Sequence, residues 1–229
     1  MIVYNELVAI TAGAGLVGFA WFLADLIRSK RIESEGWAAF FGLTGLLLLA
    51  LGLHTTVTWP FGGGGFEYAN IAFGQPAAGF GALLLLAAVY LWRHRTLFAG
   101  DVEVARTTAL AALKPISIFV GALGLAMAAL AVTFVRFQLG AAPPEEPISG
   151  RFGHLPIIEA LFLGGLWGVV AVGALLFAIA LLTNRPQLLR WVVRAWVVGG
   201  VVFLLFGAMN FYTHIGMYDN IANGTMHKW

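Results

Sequence analysis

Six long apolar runs alternate with short polar stretches along this chain. They cover about 7–27, 37–58, 71–92, 114–137, 157–182 and 192–213. A helix crossing a bilayer needs roughly 20 mostly apolar residues, and each run meets that length. The pattern therefore predicts an all-α integral membrane protein, a single six-helix domain over residues 1–229. Small residues are dense inside the runs: Gly13, Gly15 and Gly18 in the first, Gly164, Gly165 and Gly168 in the fifth, Gly199 and Gly200 in the sixth. In lipid, helices associate by close packing, which small residues permit.

One run and its successor carry an internal echo. Phe40, Gly42, Gly45, Leu46, Ala50 and Leu51 recur 79 positions on as Phe119, Gly121, Gly124, Leu125, Ala129 and Leu130. The same step carries Phe73 and Gly74 to Phe152 and Gly153 across the intervening loop. This reads as a tandem parallel repeat of a helical hairpin: one unit over about 37–95, the other over about 116–183, flanked by the first and last helices. A parallel repeat differs from the inverted repeats of many transporters.

Composition sharpens the membrane reading. Hydrophobic residues make up 60% of the chain and charged residues 10%, where a soluble domain carries about 25% charged. So few charges cannot cover a water-facing surface. The formal charge of +2 does not point to nucleic acid. The basic residues instead cluster in alternate loops: Arg28, Lys30 and Arg31; Arg93, Arg95, Arg106 and Lys114; Arg185, Arg190 and Arg194. Only Arg136, Arg151 and Lys228 lie elsewhere, among Glu6, Glu67, Glu145, Glu146, Glu159 and Asp219. The positive-inside rule then puts both termini outside the cytoplasm. There are no cysteines, which excludes disulfides, thiolate metal sites and thiol nucleophiles. The opening residues lack a basic segment before the first apolar run, so no cleaved signal peptide is expected.

Ionisable groups inside spans are costly and are default candidates for function. Near the basic loops there is little: Asp25 is expected to pair with Arg28 at i,i+3, and His94 to join a basic anchor. Near the other face polar groups converge. His54 lies one turn below the end of the second helix, Arg136 ends the fourth, and Glu159 opens the fifth. Asn210 and His214 share a face of the sixth, since i and i+4 are neighbours on a helix. Glu6 opens the first helix, and Gln75 and Pro76 open the third.

Two histidines and a carboxylate suit a divalent metal such as Zn²⁺, Cu²⁺ or Fe²⁺, and two histidines on different helices suit haem b. His54, His214 and Glu159 are the candidate ligands, with Arg136, Asn210 and His154 around them. A Glu159–Arg136 pair could equally be structural, bind a polar headgroup or relay a proton. His154 sits in a loop and could be simply solvated. Met217, Met226 and His227 hint at soft-metal capture. The segment from Ala141 to Gly150 holds three prolines and is expected to be extended, and the tail from Ile215 to lie at the membrane surface through Tyr218 and Trp229. No catalytic motif (HExxH, GxSxG or P-loop) is present, so no reaction is assigned.

The segment Gly52-Leu53-His54 through Trp59-Pro60, then Asn70-Ile71-Ala72-Phe73-Gly74-Gln75-Pro76, resembles a family of prokaryotic membrane proteins catalogued as domain of unknown function 981. The likeness is strongest over the second and third helices. It implies a multi-pass protein of the prokaryotic cell membrane and carries no activity. Three functions fit these observations: a membrane-embedded binding or redox subunit with a site near the extracytoplasmic face; a structural or accessory subunit of a larger complex or homo-oligomer; a carrier of a small solute or lipid.

Overall fold

The computed structural model describes residues 5–58 and 68–225. Seven α-helices account for most of them: α1 Asn5–Ile27, α2 Ser34–Val57, α3 Gln75–Arg93, the short α4 Arg95–Ala99, α5 Val102–Phe137, α6 Ile157–Leu182 and α7 Leu189–Asn223. Six of these segments are long and apolar enough to cross a membrane, and no strand occurs among the described residues. Trp59, Pro60, the glycine turn before Glu67, Met226, His227 and Trp229 lie outside the described residues.

Two helices overrun the apolar runs that predicted them. The α5 helix begins at Val102, where the Asp101 carboxylate caps it by accepting from the Glu103 and Val104 amides, each at 2.9 Å. Lys114 thus sits inside a continuous helix and marks where α5 meets the basic loops. The α7 helix continues past the expected end through Ile215, Met217 and Tyr218 to Asn223, so residues 215–223 are a helix extension and not a tail laid on the membrane. The helix stops at Gly224, whose φ of 60° suits glycine. The extension persists because it has a partner. Asn220 Nδ2 donates to the Glu145 carbonyl at 2.8 Å, and Gly216 packs against Pro147.

That partner is the segment expected to be extended. It folds instead into consecutive turns around the buried Glu146, whose carboxylate accepts from the amides of Ile148, Ser149 and Gly150. One side chain serving three amides supplies the hydrogen bonds that the prolines cannot make internally.

The spans close as three antiparallel pairs: α1 on α7, α2 on α3, α5 on α6. Glycine sets each contact. A methyl at Gly13 would lie 2.5 Å from the Leu204 amide nitrogen and 2.6 Å from the Gly200 carbonyl. Gly45 meets Gly81 and Leu85, and Gly52 meets Gly74 and Ala78. In the other hairpin Gly124 meets Ala174 and Leu175, while Gly164 meets Ala131. Gly74 lies in the π-helical turn Asn70–Gly74 that opens α3. Phe152 and Gly153, expected as counterparts of Phe73 and Gly74, lie instead in the loop between α5 and α6, at a short 3₁₀ turn. The partner that α6 offers in place of Gly74 is Gly164, so the 79-residue step does not extend beyond the loop.

Two apolar clusters fill the bundle, one around α5, α6 and α7, the other around α2 and α3, and α1 feeds both. Phe19 joins them. Its ring lies 5.9 Å from Phe41 on one side and 5.6 Å from Trp196 on the other. The seam between α3 and α5 does not close in this way. There the two hairpins leave space.

Candidate functional site

The space is a slot of about 190 Å³ walled by α1, α3, α5, α6 and α7. On α1 the lining runs through Asn5, Val8, Ala12, Leu16, Phe19 and Phe22, a stripe at helical spacing. From Asn5 to Phe22 this stripe rises ~26 Å, close to the thickness of a hydrocarbon core. Phe80 and Leu84 press on Gly15 from α3, and Trp167, Trp196 and Phe203 form the far wall. No charged side chain lines the slot among the described residues. The Trp196 indole is satisfied internally, donating to the Val170 carbonyl at 3.3 Å.

Polar atoms occur at the two ends. At one end stand Asn5 and the buried Asn210; at the other stands Tyr90. The Asn5 Oδ1 and the Tyr90 hydroxyl are both buried without a hydrogen-bond partner among the described residues. An unmet polar atom in an apolar wall costs about 1–3 kcal/mol, so each marks a place where a ligand group would be favoured.

Beside the Asn5 end, Glu6 and His214 clasp α1 to α7. Glu6 Oε1 lies 2.6 Å from His214 Nδ1, with Glu6 only 7% exposed. Burial of a carboxylate is tolerable here because the imidazole meets it directly. Asn210, one turn before His214, carries the same face of α7 into the slot.

The remaining predicted residues do not join this pair. His54 is on the exposed side of α2 and does not line the slot. Glu159 accepts from the Ala142 amide at 2.6 Å, tying α6 to its preceding loop, and so does not make the expected pair with Arg136. Arg136 is exposed, its guanidinium 5.8 Å from the Phe137 ring centre. His154 is exposed in the loop, and Gln75 is exposed at the start of α3. Among the described residues no three His, Asp or Glu side chains gather closely enough to hold a metal ion. On the basic side Asp25 bonds Lys30 at 2.9 Å in place of Arg28, because the chain turns back after α1 and brings Lys30 over the carboxylate. His94 stacks on Tyr90 with ring centres 4.3 Å apart. Tyr68 links the two hairpins: its hydroxyl accepts from the Gly140 amide at 3.0 Å, and burial pushes the phenol up from its ordinary pKa.

Sequence reasoning ranked ionisable groups and passed over Asn5 and Tyr90. Both are neutral, and both sit near span ends where polar residues are ordinary. The signal available was the stripe on α1, whose large residues alternate with glycines and alanines. It could not be assigned to a void before the α3–α5 seam was known.

A family model described as Protein of unknown function (DUF981) matches residues 1–217, and the chain belongs to that family. No curated protein and no solved structure matches it.

Proposed function

We propose that this DUF981 member is a membrane-embedded binding protein for an apolar-chain molecule, held in the slot with its polar end toward Asn5, Asn210 and the Glu6–His214 clasp. The slot itself carries the reading. Its volume is about a dozen times what one water needs, yet its walls are apolar, and such cavities stay dry. Surrounded by lipid, a dry slot of membrane length favours hydrocarbon. The redox form of the reading would need His54, His214 and Glu159 around one point; the binding form needs no such convergence.

The orientation in the membrane follows from charge. Ten of the 13 Lys and Arg fall at the α1–α2, α3–α5 and α6–α7 ends of the bundle. That supports placing both termini, and the Glu6–His214 end of the slot, outside a prokaryotic cytoplasm. The shared glycine faces of α2–α3 and α5–α6 support a duplication of one hairpin, with the extra residues of the second copy accommodated in its longer loop.

The test is native mass spectrometry of the full chain released from mild detergent. A lipid-sized mass retained at about one per chain supports the proposal, and Ala12→Phe, which fills the slot from α1, should remove it. A chain that emerges empty and stays empty when offered long-chain amphiphiles would overturn it.

A further inference from the structure

The slot is built for a narrower class of ligand than "lipid". We infer that its occupant is a single-chain, uncharged amphiphile with a hydroxyl head, a long-chain alcohol, whose hydroxyl donates to Asn5 Oδ1 and whose tail leaves between α3 and α5. This rests on the binding reading above and adds the head, the chain and the exit.

The head follows from the wall. Asn5 Oδ1 is a buried acceptor that meets no donor among the described residues. A hydroxyl supplies one without bringing charge. A carboxylate or phosphate would offer the carbonyl oxygen no donor and would meet no cation along the lining. The nearest ionic groups, Glu6 and His214, already engage each other at 2.6 Å.

The chain follows from the dimensions. About 190 Å³ spread over the ~26 Å rise of α1 leaves a passage for one hydrocarbon chain and no second. A two-chain lipid does not fit within it.

The exit follows from the α3–α5 seam. Nearer the Asn5 end the Leu123 side chain lies against Gly79, where an added methyl would come within 3.1 Å, and the helices meet. Beyond that crossing α3 presents Leu83, Leu86 and Ala87, and α5 presents Ala112 and Ile116. Leu86 lines the slot and is also 58% exposed, which places the exit at that level. Phe73 and Pro76 flank the slot at the α3 start, and ten residues on from Pro76 is Leu86. A tail must therefore span ~15 Å before it meets lipid, which short alcohols cannot do.

The experiment offers cetyl alcohol, its methyl ether, palmitate and hexanol to the delipidated full chain, and counts adducts by native mass spectrometry. Cetyl alcohol should bind at one per chain, with the ether, palmitate and hexanol at least tenfold weaker. Asn5→Leu should bring the alcohol down to the level of the ether, and Leu86→Trp should weaken the alcohol by plugging the exit. Equal binding of alcohol and ether by the native chain overturns the head assignment and leaves the binding reading standing, and this holds even if Asn5→Leu fails to fold. Hexanol binding as well as cetyl alcohol overturns the chain and exit assignment. Failure of all four ligands overturns the binding reading itself.

Discussion

The α1–α7 seam and the α3–α5 seam are both antiparallel meetings of long apolar helices in the same bundle, yet one is sealed and the other is open. Along α1 and α7, Gly13, Gly200 and Gly207 bring backbone to backbone, with Gly207 against Ile10 and the Glu6 carbonyl. Along α3 and α5 the side chains that line the slot include Leu83, Leu86, Ile116, Val120 and Leu123. Lipid offers no hydrophobic drive to press helices together, so a seam closes where small residues let dispersion and backbone contacts accumulate. Large aliphatic side chains hold the other two helices apart, and Gly79 is the single glycine that lets Leu123 cross. Small and large residues within helices of similar overall hydropathy thus have opposite effects on a seam.

That contrast can be broken most severely at Gly13. Gly13→Val should cost stability at the upper end of the roughly 1–3 kcal/mol typical of overpacking, because both neighbours are backbone and cannot rotate away. Thermal unfolding in detergent and the monodisperse yield report it; a native melting temperature would show that α1 and α7 are not held as described. Next comes the clasp. His214→Ala leaves Glu6 buried without its partner and should cost about 1–3 kcal/mol by the same assay. Replacing Glu6 as well should recover part of the loss, since no orphaned carboxylate remains.

Two adjacent glycines give a smaller and signed contrast. Gly164→Ala puts a methyl 2.8 Å from Val135 and 2.9 Å from the Ala131 carbonyl, so it should destabilise by about 1 kcal/mol. Gly165→Ala meets nothing within 4 Å and should stabilise by up to about 1 kcal/mol through helix propensity. Equal effects at the two positions would mean that α5 and α6 do not meet along this face. Smallest of all is the open seam: Ala112→Leu should change stability by less than about 0.5 kcal/mol while reducing ligand adducts. A large destabilisation there would show the seam to be packed.

The polar layer was only half legible. Glu6 and His214 stand together because α1 and α7 are neighbours and bring them face to face, with Asn210 one turn away on α7. His54, Arg136 and Glu159 share that depth but not that direction. Position along a helix gives depth at 1.5 Å per residue, whereas direction depends on which face turns inward, and near-uniform hydropathy around each helix hides it. Glu159 found an amide of its own loop before it could reach another helix. The π-helical turn at Asn70–Gly74 was likewise invisible, although its consequence, Gly74 seated against Thr55 and Thr56, explains why that motif carries a glycine there.

The sequence alone determined that six segments are long and apolar enough to cross a membrane, because segment length and the scarcity of charge are one-dimensional properties. It also identified the family, whose model spans residues 1–217. Which helices pair, where the bundle leaves a slot, and that Asn5 and Tyr90 stand unpartnered among the described residues at its ends were decided only in three dimensions. Those facts depend on the rotation of each helix about its own axis, and a pattern so uniformly apolar does not encode rotation except through its glycines.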